Sequence, residues 1–362
     1  MIVFSMRGVN VKLGTRLTQV VYDNDKVTVN ARPYWVLGIQ TLAGPVHERL
    51  TMRRFDLLIP VFSALICPFL LSGAQAQDRG TLAPAPLPPL THPDDPATPA
   101  KALFGRETTP APFASHAIGF YSRGCLAGAK ALAIDGPAWQ VMRVSRDRYW
   151  GHPALIAFLE RFSKKVAAVS HWPGILIGDM SQPRGGPMIT GHASHQIGLD
   201  ADIWLTPMPD YRLSREAREE MMSTNVVRAN RRDVDPSKWT PDHLAVIRAA
   251  AQDAEVERIF VNAAIKKALC REATGDRSWL SKVRPYYGHD YHFHVRLACP
   301  PGETACEDQE PVNPGDGCDA SLASWFSDAI LHPRPSRAPA KPRLPLTLAQ
   351  LPAACRAIAT VR

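Results

Sequence analysis

The chain has 362 residues, 45% of them apolar and 21% charged, with a mean hydropathy of -0.15. That composition suits a globular protein and excludes both a multi-pass membrane protein and a disordered chain. A formal charge of +8 and a pI near 9.2 fit an acidic polymer as partner; no run of five Lys/Arg and no zinc-finger or RNA-binding motif is present, which argues against nucleic acid.

Residues 1–51 show no clear helical or strand period and read as an extension upstream of a true start at Met52. From there Arg53 and Arg54 form a basic region, Leu57 to Leu71 an apolar stretch, and Ala74-Gln75-Ala76 a small-residue cleavage site. Pro60 and Pro68 interrupt the apolar stretch, which favours a signal peptide over 52–76 rather than an N-terminal anchor. Cleavage after Ala76 leaves no membrane span and places the mature chain in the periplasm. Residues 77–114 are Pro-rich and read as an extended linker, 115–330 as one compact unit, and 331–362 as a Pro-rich tail.

Within the compact unit, Leu155, Phe158, Leu159, Phe162 and Val166 follow helical spacing, ending before His171-Trp172-Pro173. Ile175-Leu176-Ile177 reads as a short buried strand. Leu199 to Leu205 alternates, with Leu199, Ala201, Ile203 and Leu205 on one face and Asp200, Asp202 and Trp204 on the other. Thr240-Pro241 opens a helix through Leu244, Ile247 and Ala251. Arg258–Val261 and Tyr291–Leu297 are further strands. Helices mixed with non-sequential strands predict an α+β fold.

Outside the signal, six cysteines remain: Cys125, Cys270, Cys299, Cys306, Cys318 and Cys355. An even number in an oxidising compartment predicts three disulfides. Cys299 and Cys306 flank a Pro-Pro-Gly turn and make a natural local pair; no CxxC supports a cysteine metal site.

Five of the 12 histidines fall in two short segments, His192 to Asp202 and His289 to Arg296. His292 and His294 stand two apart on a strand and share a face, while Phe293 and Val295 point the other way. Two imidazoles facing carboxylates of another alternating strand suit a zinc ion with nitrogen and oxygen ligands. There is no His-Glu-x-x-His helix, which excludes the thermolysin-like arrangement. Asp200 and Asp202 share a face, so periodicity leaves open which of them binds metal.

The segment GHASHQIGLDADIW and the later HxxHxH resemble the penicillin-insensitive murein endopeptidases. The likeness extends through GHPALIAFLERF, ILIGDMS, RIFVNAAIK, WLSKVRP, HVRLACP and GDGC, over roughly residues 115–356. This family sits in a wider group of zinc peptidases that includes lysostaphin-type endopeptidases and D-alanyl-D-alanine carboxypeptidases, sharing a His and an Asp seven apart followed by HxH. The resemblance therefore implies Asp202 rather than Asp200, zinc held by His195, Asp202 and His294, and His192 as a ligand or ligand support. It implies active-site roles for His289 and His292, and pairs the cysteines as Cys125–Cys355, Cys270–Cys318 and Cys299–Cys306. The implied fold is α+β around a small central antiparallel sheet flanked by helices, a single catalytic domain. A second, peripheral metal of the family has no matching Asp and His in Asn230-Arg231-Arg232-Asp233.

The activity implied by the resemblance is zinc-dependent hydrolysis of the D-alanyl–meso-diaminopimelyl cross-links of peptidoglycan, without a serine for β-lactams to acylate. Two other readings compete: a zinc peptidase of different wall specificity (D,D-carboxypeptidase or L,D-endopeptidase), and a non-catalytic wall-binding module.

Overall fold

In the computed structural model the described residues are 2–6, 9–13, 19–23, 26–30, 79–333 and 344–362. The chain divides into two units, 1–68 and 69–362. In the first, Ile2–Met6 pairs antiparallel with Val9–Leu13, and Gln19–Asp23 with Lys26–Asn30. Strands thus occur where the sequence shows no clear period; runs such as Val27-Thr28-Val29 carry β-branched propensity without needing a long alternation. The segment 52–76, expected to be a signal peptide, lies outside the described residues.

After the short helix Ala100–Phe104, the second unit continues with a hairpin, β1 (His116–Phe120) and β2 (Arg123–Ala127). Next come β3 (Asp135–Gly136), β4 (Trp139–Val141), helix α1 (Pro153–Val169), β5 (Ile175–Ile177) and β6 (Asp200–Pro207). Helix α2 (Pro241–Ala251), β7 (Val256–Val261), helix α3 (Ala263–Glu272), β8 (Val283–Pro285) and β9 (His292–Leu297) complete the series. The fold is α+β.

One seven-stranded sheet runs in the order β8-β7-β9-β6-β5-β4-β3. Its four inner strands are antiparallel, whereas β7–β8 and β4–β5 are parallel pairs. The small antiparallel sheet expected from the sequence is therefore the centre of a larger mixed one. Two- and three-residue edge strands are too short to display a period, which is why Val283–Pro285 and Asp135–Gly136 escape notice.

Helix α1 starts where Pro153 follows His152, whose Nδ1 accepts the Ala154 amide at 3.2 Å. Its stripe of Leu155, Phe158, Leu159, Phe162 and Val166 is buried, and the Phe162 ring meets Phe293 of β9 edge-on at 6.5 Å. Helix α2 starts in a capping box: Thr240 caps the helix, and the Thr240 amide donates to His243 Nδ1 at 3.0 Å. Leu199, Ala201, Ile203, Leu205, Phe293 and Val295 all enter this core. Strand alternation then leaves Asp200, Asp202, Trp204, His292, His294 and Arg296 on the opposite face.

The proline-rich stretch is not wholly extended. Helix-forming Ala100–Phe104 lies inside it, and Ala100, Leu103 and Phe104 join a second apolar cluster with Ile118, Leu351, Cys355 and Ile358. The apolar residues of AKALF share this cluster with the β1–β2 hairpin and the returning tail. That return is covalent, since Cys125 is bonded to Cys355; Cys270–Cys318 and Cys299–Cys306 complete the pairing. Among the described residues no helix is long and apolar enough to cross a membrane.

Candidate metal centre

Strand pairing assembles the two histidine segments. Asp202 of β6 stands opposite His294 of β9, and Trp204 opposite His292. The loop before β6 delivers His192 and His195, and the loop before β9 delivers His289. His195 and His289 sit at φ of 66° and 53°, a region that side-chain-bearing residues adopt at a cost of roughly 1–3 kcal/mol. Neighbours hold both in place: the His195 amide donates to Asp200 Oδ2 at 3.0 Å, and the His289 carbonyl accepts the Asn262 amide at 2.9 Å.

Asp202 is the hub. Its Oδ1 lies 3.2 Å from His294 Nδ1, 3.6 Å from His195 Nε2 and 3.6 Å from His292 Nε2, while Oδ2 lies 3.5 Å from His192 Nε2. Ligand atoms of His192, His195 and Asp202 come within 4.8 Å of one another. Both ring nitrogens of His195, Asp202 Oδ1, His292 Nδ1 and His294 Nε2 are buried without a hydrogen-bond partner. Unpaired buried polar atoms are costly. Nitrogen and carboxylate lone pairs converging at these separations fit a tetrahedral cation, whose ligands at about 2.0–2.2 Å from the ion stand roughly 3.3–3.6 Å apart.

Charges follow the same pattern. Burial pushes the imidazolium form of His195 down to about 4, helped by the His192 charge. Burial and the neighbouring His292 and His294 take His289 down to about 3. Burial would also lower His294, but Asp200 and Asp202 outweigh it and raise the group to about 9. Burial alone would raise the Asp202 carboxyl; the surrounding imidazoles hold it well below the usual range instead.

Two carboxylates that the sequence motifs leave without a role support it from behind. Asp179, in the ILIGDM run, has its Oδ2 within 2.9 Å of Arg148 Nη1, 3.1 Å of Arg146 Nη1 and 3.1 Å of His192 Nε2. Asp200, considered from the sequence only as an alternative ligand, is fully buried and receives Arg296 at 2.8 and 3.2 Å. Its Oδ1 is also 3.1 Å from His294 Nε2. A lone carboxylate in an apolar run gives no periodic signal, and the arginines that meet these acids come from distant segments of the chain.

Removing the charge of Asp200 strands the buried Arg296. Asp200→Asn is expected to lower the free energy of unfolding by about 3 kcal/mol, the low end for breaking a buried pair, since an amide still accepts hydrogen bonds. Urea unfolding checks it, and a loss below ~1 kcal/mol would remove Asp200 from this supporting role. Burial opposes ionisation of Asp200, but Arg296 and His294 outweigh it and hold the carboxyl far below its ordinary value. The pair's contribution is therefore complete above about pH 4 and is lost as the pH falls.

At the stretch Asn230-Arg231-Arg232-Asp233, the Asp233 carboxylate is taken up by Arg271 at 3.0 Å and Lys267 at 3.3 Å.

A family model described as penicillin-insensitive murein endopeptidase matches residues 117–360, which span the sheet, both histidine segments and the returning tail. The chain belongs to the penicillin-insensitive murein endopeptidase family. A family member from Klebsiella pneumoniae subsp. pneumoniae is 44% identical over 254 residues, covering 69% of this chain and 88% of its own length. Another from Haemophilus influenzae is 46% identical over 227 residues, covering 63% and 77%. One from Yersinia enterocolitica is 45% identical over 251 residues, covering 69% and 88%. All three bear the name penicillin-insensitive murein endopeptidase.

Proposed function

We propose that this chain is a zinc-dependent peptidoglycan endopeptidase that hydrolyses D-alanyl–meso-diaminopimelyl cross-links, with His195, Asp202 and His294 as zinc ligands and His192 beside them. The carrying observation is the convergence of four imidazoles on the buried carboxylate of Asp202, with Asp202 Oδ1 and both ring nitrogens of His195 left without a hydrogen-bond partner. His192 suits a supporting place, because its Nε2 is shared between Asp179 at 3.1 Å and Asp202 at 3.5 Å.

A bound zinc ion would lower the pKa of a coordinated water toward ~7 and polarise the scissile carbonyl. The chain's own residues supply the proton traffic. His292, kept neutral chiefly by burial, accepts a proton from the attacking water and returns it to the departing amine. His289 donates from Nδ1 to the Tyr287 carbonyl at 2.8 Å, so in its neutral form Nε2 carries a lone pair. That tautomer makes His289 an acceptor. With the two rings 4.8 Å apart, it suits orienting His292 better than donating to an oxyanion.

The same reading places the chain outside the cytoplasm, in the periplasm, with a signal peptide removed near Gln77. Three disulfides agree with an oxidising compartment.

Chromatography of a purified cross-linked muropeptide dimer after digestion tests the bond. Conversion to two monomers, unaffected by penicillin, is the expected result. Release of free D-alanine alone would make the chain a carboxypeptidase, and cleavage at the L-centre of diaminopimelate an L,D-endopeptidase. Absence of any reaction would leave a wall-binding module.

A further inference from the structure

The catalytic face of the sheet continues past the histidines. Asp202 pairs with His294, His294 with Phe260, and Phe260 with Arg284, so one row crosses β6, β9, β7 and β8 on a single face. The adjacent row is Asp200, Arg296 and Arg258. At strand spacings of about 4.8 Å, Arg284 stands roughly 10 Å from His294 along the row.

Beside Arg284 opens a cleft of about 240 Å³, with Arg258, Phe260 and Arg284 on the sheet side and residues 309–313 opposite. Its floor is fixed. Phe260 packs edge-on to His294 at 5.4 Å, and the Arg296 guanidinium lies 5.1 Å from the Phe260 centroid and donates to Gln309 Oε1 at 2.7 Å. Arg258 is buried and spends its donors on the carbonyls of Glu257 and Glu310. Arg284 differs: among the described residues no carboxylate or carbonyl takes its guanidinium.

Its neighbours are cations. A Cβ at Gly317 would lie 3.4 Å from Arg284 Nη1 and 3.6 Å from Lys266 Nζ, which puts both charges at one spot. Lys266 is fully buried and donates to the carbonyls of Leu280 and Asp316. The Asp316 carboxylate is taken by Arg277 at 2.7 Å, which leaves the exposed Glu310 as the acid lining the cleft. Two cations, Arg258 and Arg284, line the cleft with one solvated acid, which makes a place where an anion is favoured.

We infer that this cleft is a subsite for a carboxylate of the peptidoglycan peptide, gripped by Arg284 beside Phe260. The inference rests on the proposed function, which supplies a substrate with two free carboxylates near the scissile amide. One is borne by the diaminopimelyl carbon that carries the scissile nitrogen; the other is a terminal D-alanine carboxylate. A carboxylate one or two residues from the reacting carbonyl lies about 3.5–7 Å from it, which leaves the rest of the roughly 10 Å row to the long Arg284 side chain.

The test uses three synthetic cross-linked peptides, one with both carboxylates free, one amidated at diaminopimelate and one amidated at the terminal D-alanine. Binding is read by calorimetry and cleavage by chromatography, on the wild-type chain, Arg284→Gln and Arg284→Lys. One amide is expected to weaken wild-type binding and raise KM by about 10- to 100-fold, the value of a charge-assisted hydrogen bond, with kcat within about twofold. Arg284→Gln shows the same loss with the free acid and no further loss on amidation; Arg284→Lys recovers part of it. Whichever amide is penalised identifies the carboxylate. If wild type and Arg284→Gln discriminate acid from amide equally, or neither amide weakens wild-type binding, the subsite is wrong. If binding depends on the carboxylate and on Arg284 while wild type cleaves nothing, the proposed function falls and the anion site stands.

Discussion

His294→Ala is expected to lose tightly bound zinc and activity together, whereas His292→Ala keeps near-stoichiometric zinc and loses catalysis by a factor of order 10²–10⁴, the usual range for a general base. The two residues share a strand face about 7 Å apart, so position alone does not separate them. Their surroundings do. His294 lies between Asp202 and Asp200, with a carboxylate oxygen 3.2 Å from Nδ1 and 3.1 Å from Nε2. A carboxylate behind the ring is what orients a metal-bound histidine. His292 has Asp202 on one side only, at 3.6 Å, and an unpartnered Nδ1. Its neighbours are the aromatic rings of Tyr291 at 4.5 Å and His289 at 4.8 Å. That setting keeps it neutral and leaves it free to exchange a proton. Metal content by mass spectrometry, read beside sacculus digestion, decides the roles. A zinc-free His292→Ala with a loaded His294→Ala would exchange them.

Cutting the Cys125–Cys355 bridge is the largest stability loss expected from one bond. The cysteines are 230 residues apart, so the bridge closes nearly the whole folded unit into one loop. The chain-entropy model assigns a closure of this length about 5 kcal/mol, which native strain or residual structure in the unfolded chain reduces. Cys355 also sits in the apolar cluster that receives Phe104 and Ile358, so releasing the tail uncovers that cluster as well. Cys355→Ala should lower Tm by well over ten degrees and expose the 344–362 tail to proteolysis. By contrast, Cys299–Cys306 closes a loop of 7 residues, and Cys299→Ala should cost far less. Equal effects from the two would contradict this ordering.

Periodic features of the sequence translated directly into structure. Two-residue alternation in LDADIWL and HFHVR separates core from site, and the helical stripe from Leu155 to Val166 is the buried stripe of α1. The mixed edges of the sheet were hidden because two- and three-residue strands have no period to read. Helix Ala100–Phe104 was hidden among prolines, since its apolar face is covered in part by a tail roughly 250 residues later. At the site, the histidines stood out by spacing, and the family resemblance picked Asp202 over Asp200. Asp179 and the buried arginines did not stand out, because ion pairs between distant segments leave no local pattern. Asp200 drew attention as a possible ligand, yet its place is to hold Arg296 and the His195 loop.

The central claim is that a zinc ion held by these histidines cuts peptidoglycan cross-links. Its most direct test is digestion of purified cross-linked sacculi by the chain as isolated, after metal chelation, and after zinc is returned. Release of monomeric muropeptides by the isolated chain, its loss on chelation and its recovery with zinc are the predicted results; digestion that continues undiminished in the metal-stripped protein would contradict the claim.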